Sequence, residues 1–495
     1  MATLKELRDE RVRKLHELQN LGIDAYPARA ARSHKLRQIT DDFAQLENQV
    51  VTVVGRIVSI RKFGKLAFIV IKDDSGEVQL FWRHDDAAAA PDRTASEVCL
   101  AELNLLDPGD FVQATGPVIK TQTGEISIQI PANLKLLTKS LRPLPTEQEG
   151  FTNKEERLRR RYVDTNVNKA VYQRYLRRSQ FWQACRQFLI ERDFVEINIP
   201  VLELTTGGAD ANPFVTHMDA LDQDFYLRIS HELPLKRLLV GGYEKVFDIG
   251  PRFRNENYSD EHLPEHVAME WYWAYANWED GMKLTQDMVR YVADRTWGTR
   301  QFTLLNGQQV DLGADGTDWP RLSFVDLIRD RYGLDVFECS LEDAVAQLKA
   351  IGGEVEKIDN KARVIDKLWK KIRVELAGPA FLVDVPDFLQ PLAKLQEKDR
   401  RLTEQFNLIL GGTEACKAYS ELNDPIDQLN RFTEQQQMRD AGDAEAQMMD
   451  IDYVEALEYG MPPACGYGHS ERLFWMLEAV TAREGVPFPA LRREQ

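Results

Sequence analysis

The sequence predicts an α+β protein of 495 residues in three parts: an N-terminal helix, an all-β barrel, and a larger region mixing helices with strands. Three patterns predict it. Leu4, Leu7, Leu15 and Leu18 recur at helical spacing among charged residues before Gly22 and Pro27, the signature of one amphipathic helix. Between about residues 50 and 145, short β-rich runs are broken by Asp-Ser-Gly, Asp-Pro-Gly and Thr-Gly turns, with no long helical stretch. From about 155 onward helical and extended patterns alternate, beginning with an apolar-faced helix over 170–193 and a strand over Phe194–Pro200 that the proline ends. The expected boundaries are 1–48 for helix and linker, 49–145 for the barrel and 146–495 for the third part.

With 43% hydrophobic and 29% charged residues, the chain is neither disordered nor fibrous and can bury a large core. No apolar run approaches the roughly 20 residues of a membrane span, and the N-terminus lacks the apolar stretch of a signal peptide, so a cytoplasmic protein is expected. The five cysteines (Cys99, Cys185, Cys339, Cys416, Cys465) are never spaced as CxxC, which predicts reduced thiols rather than disulfides or a zinc site. The net charge of -16 argues against a surface that binds polyanions throughout. Basic residues nevertheless gather in the first helix (Lys5, Arg8, Arg11, Arg13, Lys14) and over Arg157–Arg161. Each cluster reads either as an RNA-facing patch or as a solvated helix face.

The β-rich region holds five runs, VTVVGRIVSIRK, KLAFIVIKDD, GEVQLFWRH, DFVQATGPVIK and EISIQI. Five strands in so short a span suggest a small closed barrel, of which the OB-fold is the common nucleic-acid-binding form, although other small barrels fit the pattern nearly as well. Phe68 offers an aromatic plate for stacking a base and Gln79 an amide for reading its edge; a core position would suit Phe68 equally.

In the third part, Arg254 and Glu256 stand two apart in Phe253-Arg254-Asn255-Glu256 and so face one ligand from one strand. Ala268-Met269-Glu270-Trp271-Tyr272 follows, and Arg472 answers near the C-terminus. The Walker loop and the HIGH and KMSKS signatures are absent. These segments, in this order, resemble motifs 2 and 3 of the class II aminoacyl-tRNA synthetases, and the helix and strand before Pro200 resemble motif 1. Gly207–Ala211, Pro213–His217, Tyr226–Ile229, Glu232-Leu233, Leu235–Gly242, Tyr419–Pro425 and Glu458–Pro463 are similar to the lysyl branch of that family. Gly64–Phe68, Val78–Leu80 and Thr123–Ile126 resemble its anticodon-binding barrel.

The resemblance implies an antiparallel catalytic sheet flanked by helices, an OB-fold before it, and a homodimer built through motif 1. It implies two reactions with ATP, Mg²⁺, lysine and tRNA(Lys): formation of an aminoacyl adenylate, then transfer to the 3′ end of the tRNA. Arg254, Glu256 and Arg472 would be catalytic, and with His262 and His266 would bind ATP. Glu232 and Glu270 would meet the α-amino group of lysine, Glu421 and Tyr272 its ε-ammonium, and Arg254 its carboxylate, with Lys417 and Tyr419 completing the pocket. A cationic substrate needs such carboxylates, because a buried cation is tolerable only when paired. Glu414, Glu421 and Asn407 would hold metal, and Phe68, Gln79 and Glu125 would read the anticodon.

The nucleotide-facing positions depart from the family. Glu261, preceded by Asp260, stands where a basic residue is expected before His262, placing repulsion where a triphosphate should lie. His266 replaces a Phe that stacks on adenine, Asn407 an acidic metal ligand, Lys417 an Asn and Asn212 an Arg. Motif 3 reads Gly466-Tyr467-Gly468-His469-Ser470-Glu471-Arg472, one residue short and without its third glycine. Three functions fit this pattern: a working lysyl enzyme with compensating substitutions, a paralogue acting on another amino acid or acceptor, and a non-catalytic tRNA-binding dimer.

Overall fold

The computed structural model describes residues 3–83, 95–145, 151–209, 211–256, 258–356, 360–440 and 447–493. Asp210 and His84, each within a segment singled out above, lie outside the described residues, as do Asn257 and, at the expected boundary, 146–150. The chain forms two compact units, Met1–Thr152 and Asn153–Gln495.

In the first unit, a capping box between Thr3 and Glu6 starts the helix Leu4–Asn20. Its basic residues serve the barrel beside it. Lys14 pairs with Asp107 at 2.7 Å, and the Arg11 guanidinium donates to the carbonyls of Pro108 and Ser140. Those two positions therefore leave the candidate RNA patch, while Lys5 and Arg8 stay exposed.

The barrel contains β1 (Val50–Phe63), β2 (Leu66–Lys72), β3 (Glu77–Arg83), β4 (Glu97–Val98), β5 (Phe111–Lys120), β6 (Ile126–Ile130) and β7 (Leu134–Thr138). Their order is β1-β2-β3-β6-β5-β7-β4, and pairing of β1 with β5 closes it. Every second residue of β1, from Val51 to Ile57, points into the core, as strand alternation requires. The strands β4 and β7 are additional to the five expected. Two-residue β4 exists only as the partner of β7, so no local pattern announces it.

The second unit is organised on an eight-stranded sheet, β16-β17-β18-β19-β20-β13-β12-β8. These are β8 (Val195–Glu196), β12 (Lys245–Phe253), β13 (Glu265–Ala274), β16 (Arg321–Ser323), β17 (Ala380–Val383), β18 (Gln405–Leu410), β19 (Thr413–Ser420) and β20 (Ala464–Ser470). All neighbours run antiparallel except β12–β8 and β16–β17. Strands β9 (Leu202–Glu203), β10 (Val215–Met218) and β11 (Gln223–Leu227) form a smaller sheet, and β14 (Gln301–Thr303) with β15 (Gln309–Asp311) a hairpin. The strand expected over Phe194–Pro200 shortens to β8, because Asn198 and the Ile199 amide turn to the Asp248 carboxylate and leave the ladder.

Helices Lys169–Ile190 and Trp278–Trp297 supply the core on one side of the sheet, Asn277 and Asp280 capping the second in a reciprocal box. Trp271 stacks on Tyr467 with centroids 5.1 Å apart, and Trp182 on His469 at 5.6 Å. Burial lowers the His469 pKa to about 3, so this imidazole is a neutral core ring.

The cluster Arg157–Arg161 is no open basic patch: Arg157 and Arg161 pair with the buried Asp164, Arg159 with Glu155 and Arg160 with Glu156. No helix among the described residues is long and apolar enough to cross a membrane. Truncating Trp271 to Ala empties a fully buried site, and we expect a loss of about 3–5 kcal/mol, read as a lower urea midpoint for the C-terminal unit.

Candidate active site

The site follows from strand register, since residues opposite one another across a sheet share a face. One row across β12, β13, β20, β19 and β18 runs Asp248, Glu270, Gly468, Lys417, Asn407. The next runs Val246, Tyr272, Gly466, Tyr419, Gln405. In the other direction come Gly250, Ala268 and Ser470, then Arg252 beside His266. Together these rows floor a cavity of about 470 Å³.

Small residues at the centre of the floor are a steric requirement. A Cβ on Gly466 would lie 2.0 Å from Glu421 Oε1, and one on Gly468 would lie 3.2 Å from Glu270 Cγ. Gly466, Gly468 and Ser470 thus share the cavity face while Tyr467 and His469 enter the core behind it. Arg472, after the shortened motif, still lines the cavity. All the candidate residues of this unit line it except Asn407.

At one end, the buried carboxylates of Glu232 and Glu421 pair with an ammonium not assigned from sequence, and the Glu270 carboxylate stands 3.8 Å from Arg252. Lys236, fully buried one helical turn after Glu232 in the helix Glu232–Val240, bonds Glu232 Oε1 at 2.5 Å and pairs with Glu421 Oε2. The rings of Tyr419, Tyr272 and Tyr453 lie 5.4–5.9 Å from its Nζ. Burial disfavours the charge on Lys236, but Glu232 and Glu421 outweigh it and hold its pKa above the usual lysine range. Burial, with Glu232 and Glu270 nearby, drives Glu421 well above the carboxylate range although Lys236 opposes this. Glu421 Oε1 is buried and accepts no hydrogen bond. Glu270 is oriented by Ser230 Oγ at 2.8 Å, the His231 amide at 3.1 Å and the Tyr272 hydroxyl at 3.1 Å, while Tyr419 donates to Glu232.

The other end is rich in arginine. Arg254 and Arg472 line it, with Arg373 from the helix Lys361–Arg373 and Arg252, also unassigned from sequence. Burial and the adjacent Arg254 cation pull the Arg252 pKa down to about 9. Arg252 Nε donates to His266 Nε2 at 2.8 Å, and His266 Nδ1 lies 3.2 Å from the Leu263 carbonyl, so the ring carries its proton on Nδ1. His262 Nε2 lies 2.9 Å from the Arg472 guanidinium. Of the two acids in the altered loop, Glu261 lines the cavity and Asp260 does not: it is ion-paired to Arg483. The Asn255 backbone amide donates to the Asn212 carbonyl, Asn212 Nδ2 donates back to the Asn255 carbonyl at 3.4 Å, and the Asn212 backbone amide donates to Glu256 Oε1 at 3.3 Å.

The residues expected to hold metal are set apart along β19. Seven residues of extended chain separate Glu414 from Glu421, roughly 20 Å at the rise of a strand, so one ion cannot join them. Glu414 is already occupied: Trp369 Nε1 donates to Oε1 at 2.7 Å, Asn407 Nδ2 to Oε2 at 3.0 Å, and Arg373 stands 3.7 Å away. Among the described residues, no group of three or more His, Cys, Asp or Glu side chains is arranged to hold a metal. Glu414 lines the cavity with both carboxylate oxygens engaged, and Asn407 brings no charge beside it.

On the barrel of the first unit, Phe68 is half-buried, with Phe63 at 6.1 Å and Phe81 at 5.3 Å. Register aligns Arg61, Phe68 and Phe81 across three strands, and Val70, Gln79 and Ser127 beside them. Gln79 is buried, donating to Ser127 Oγ at 3.0 Å and accepting from Arg61 at 3.4 Å; Glu125 is exposed. Arg61, Phe63 and Phe81 were not singled out from sequence, although their parity with Phe68 along and across strands signals a shared face. The same period-two rule, applied from Arg254, points to Arg252.

The second unit matches the profile "tRNA synthetases class II (D, K and N)" over residues 153–492, and the barrel matches "OB-fold nucleic acid binding domain" over 51–135. Proteins named "Lysine--tRNA ligase" align over 99% of the chain. Those from Fervidobacterium nodosum and Pelotomaculum thermopropionicum are each 41% identical over 95% of their own length, and that from Thermotoga maritima is 40% identical over 96%.

Replacing Lys236 by Met leaves buried carboxylates without their counter-ion, for an expected loss of about 3–5 kcal/mol at neutral pH. A carboxyl raised by burial binds its proton more tightly folded than unfolded, so the deficit should shrink as pH falls from 8 toward 5, measured by denaturant titration at each pH.

Proposed function

The chain belongs to the class II tRNA synthetases of the D, K and N group, and we propose that within it the chain joins lysine to tRNA(Lys) at the expense of ATP. The acidic end of the cavity carries this reading. Glu232 and Glu421 share one internal ammonium, and Glu270 stands 3.8 Å from the Arg252 guanidinium, so the carboxyl groups of this end outnumber the cations paired with them. A substrate with an α-amino group and an ε-ammonium brings donors that such acceptors can pair. The donorless Glu421 Oε1 is a buried acceptor for the ε-ammonium, and Glu232 with Glu270 takes the α-amino end. Arg254 receives the carboxylate, leaving it to attack the α-phosphorus of ATP.

In the first step a carboxylate oxygen bonds to that phosphorus while the bond to the β-phosphate oxygen breaks, giving lysyl adenylate and pyrophosphate. Arg254 and Arg472 stabilise the charge that develops, with Arg373 beside them. In the second, a terminal ribose hydroxyl of the tRNA attacks the lysyl carbonyl; AMP departs and the hydroxyl proton is lost. The residues are asked for orientation and charge, not covalent chemistry. No step is assigned to a metal held by Asn407, Glu414 or Glu421.

The aromatic face of the barrel suits the anticodon, Phe68 stacking on a base with Gln79 and Glu125 at its edge. Exposed Ile190 and Val195, beside edge strand β8, support assembly as a homodimer. We assign the protein to the cytoplasm, where its tRNA and nucleotide substrates are found.

Exchange of labelled pyrophosphate into ATP, measured across the twenty amino acids, should occur with lysine and stop in Arg254→Ala. Gly466→Ala should raise the KM for lysine by at least about tenfold, because its methyl group meets Glu421, with the KM for ATP little changed. Exchange with another amino acid, or none, would overturn the assignment. Phe68→Ala should weaken tRNA binding by about 1–3 kcal/mol in an anisotropy titration, the usual stacking contribution.

A further inference from the structure

The position where this family pattern expects a metal-binding carboxylate holds Asn407, and the structure shows what the amide does there. Its Nδ2 donates to Glu414, closing a contact that two carboxylates would make only with a cation or a shared proton between them. Trp369 and Arg373 occupy the remaining side of Glu414. The carboxylate is thereby an internal anchor joining β19 to the helix Lys361–Arg373, with both oxygens engaged where it lines the cavity.

Directly across the strand pair from Asn407 stands Lys417. Facing side chains in such a pair have Cβ atoms about 4.5–5.5 Å apart, so the ammonium rises from the cavity floor beside the closed site. Lys417 is exposed, lines the cavity, and is ion-paired to no acid among the described residues. Relative to the expected acid and amide, Asn407 removes one negative charge and Lys417 adds one positive. The change at these adjacent positions is two positive charges, the charge of one divalent cation.

We propose that Lys417 is a fixed counter-cation for the nucleotide phosphates, replacing a divalent ion held between the protein and the triphosphate. Mg²⁺, where present, travels on the nucleotide alone. This rests on ATP as the nucleotide of the cavity, and not on which amino acid is activated. An ammonium anchored to a strand is already positioned when the nucleotide arrives, whereas a metal must be recruited with its ligands.

The test is calorimetric titration of the full-length protein with α,β-methylene-ATP, which binds without forming adenylate, in excess EDTA and again in excess Mg²⁺. The wild-type affinities should agree within about threefold. An affinity at least about tenfold weaker in EDTA would overturn the proposal. Lys417→Asn, a change on an exposed strand position, should lose about tenfold in EDTA and recover most of it in Mg²⁺. Undiminished affinity of that variant in EDTA, or an equal loss in both conditions, would also overturn it. Asn407→Glu should make binding Mg²⁺-dependent; an unchanged profile would count against the closed site. Metal-independent binding without exchange for any amino acid would defeat the ligase reading and leave this inference standing. Lysine-dependent exchange with Mg²⁺-dependent binding would do the reverse.

Discussion

The buried ammonium of Lys236 sets the terms for the acidic end of the cavity. Three carboxylates converge there from a helix N-terminus, a sheet strand and the residue after another strand, and without an internal cation they would repel one another through a poorly screened interior. Lys236 holds Glu232 and Glu421 together while satisfying only part of their demand. The raised affinity of Glu421 for protons expresses what is left over. The same contacts tie the helix Glu232–Val240 to the segment after β19, so the pocket and the packing around it form together.

The opposite end is governed by an excess of the other sign. Arg252, Arg254 and Arg472 repel one another across the floor of the cavity, with His266 and His262 held neutral or nearly so against them. Between the two ends, Gly466 and Gly468 keep the floor bare enough for a ligand to lie across it. A dipolar substrate is thus oriented by the field before any single contact is complete.

Much of this was legible in the sequence because it obeys short periods. Glu270 with Tyr272 and Lys417 with Tyr419 are each two apart on a strand and line the cavity, whereas Arg254 and Glu256, expected on one strand, line it from the segment after β12 ends at Phe253. The shortened motif 3 was legible as a deletion but not as a rescue: only the register shows Ser470 taking the third small position while Tyr467 and His469 pack against Trp271 and Trp182. Lys236 was hidden for a different reason, since a lysine one turn from a glutamate resembles any exposed helical pair. The closure of Glu414 by Trp369, 45 residues away in sequence, has no local trace at all. Likewise the acidic loop read as uniformly repulsive, whereas Arg483 draws Asp260 aside and leaves Glu261 alone at the rim.

The aromatic trio on the barrel has an entropic side. Phe68 sits between Phe63 and Phe81, edge-on to the first and tilted against the second. A ring confined in this way has little rotamer freedom left to surrender when a base settles on it. Bases in a single-stranded loop are mobile before capture, so on the proposed anticodon reading nearly all the ordering would fall on the RNA, with the protein face as a rigid template. Selectivity would then reside in how readily a given loop sequence unstacks and adopts the shape that this template holds ready.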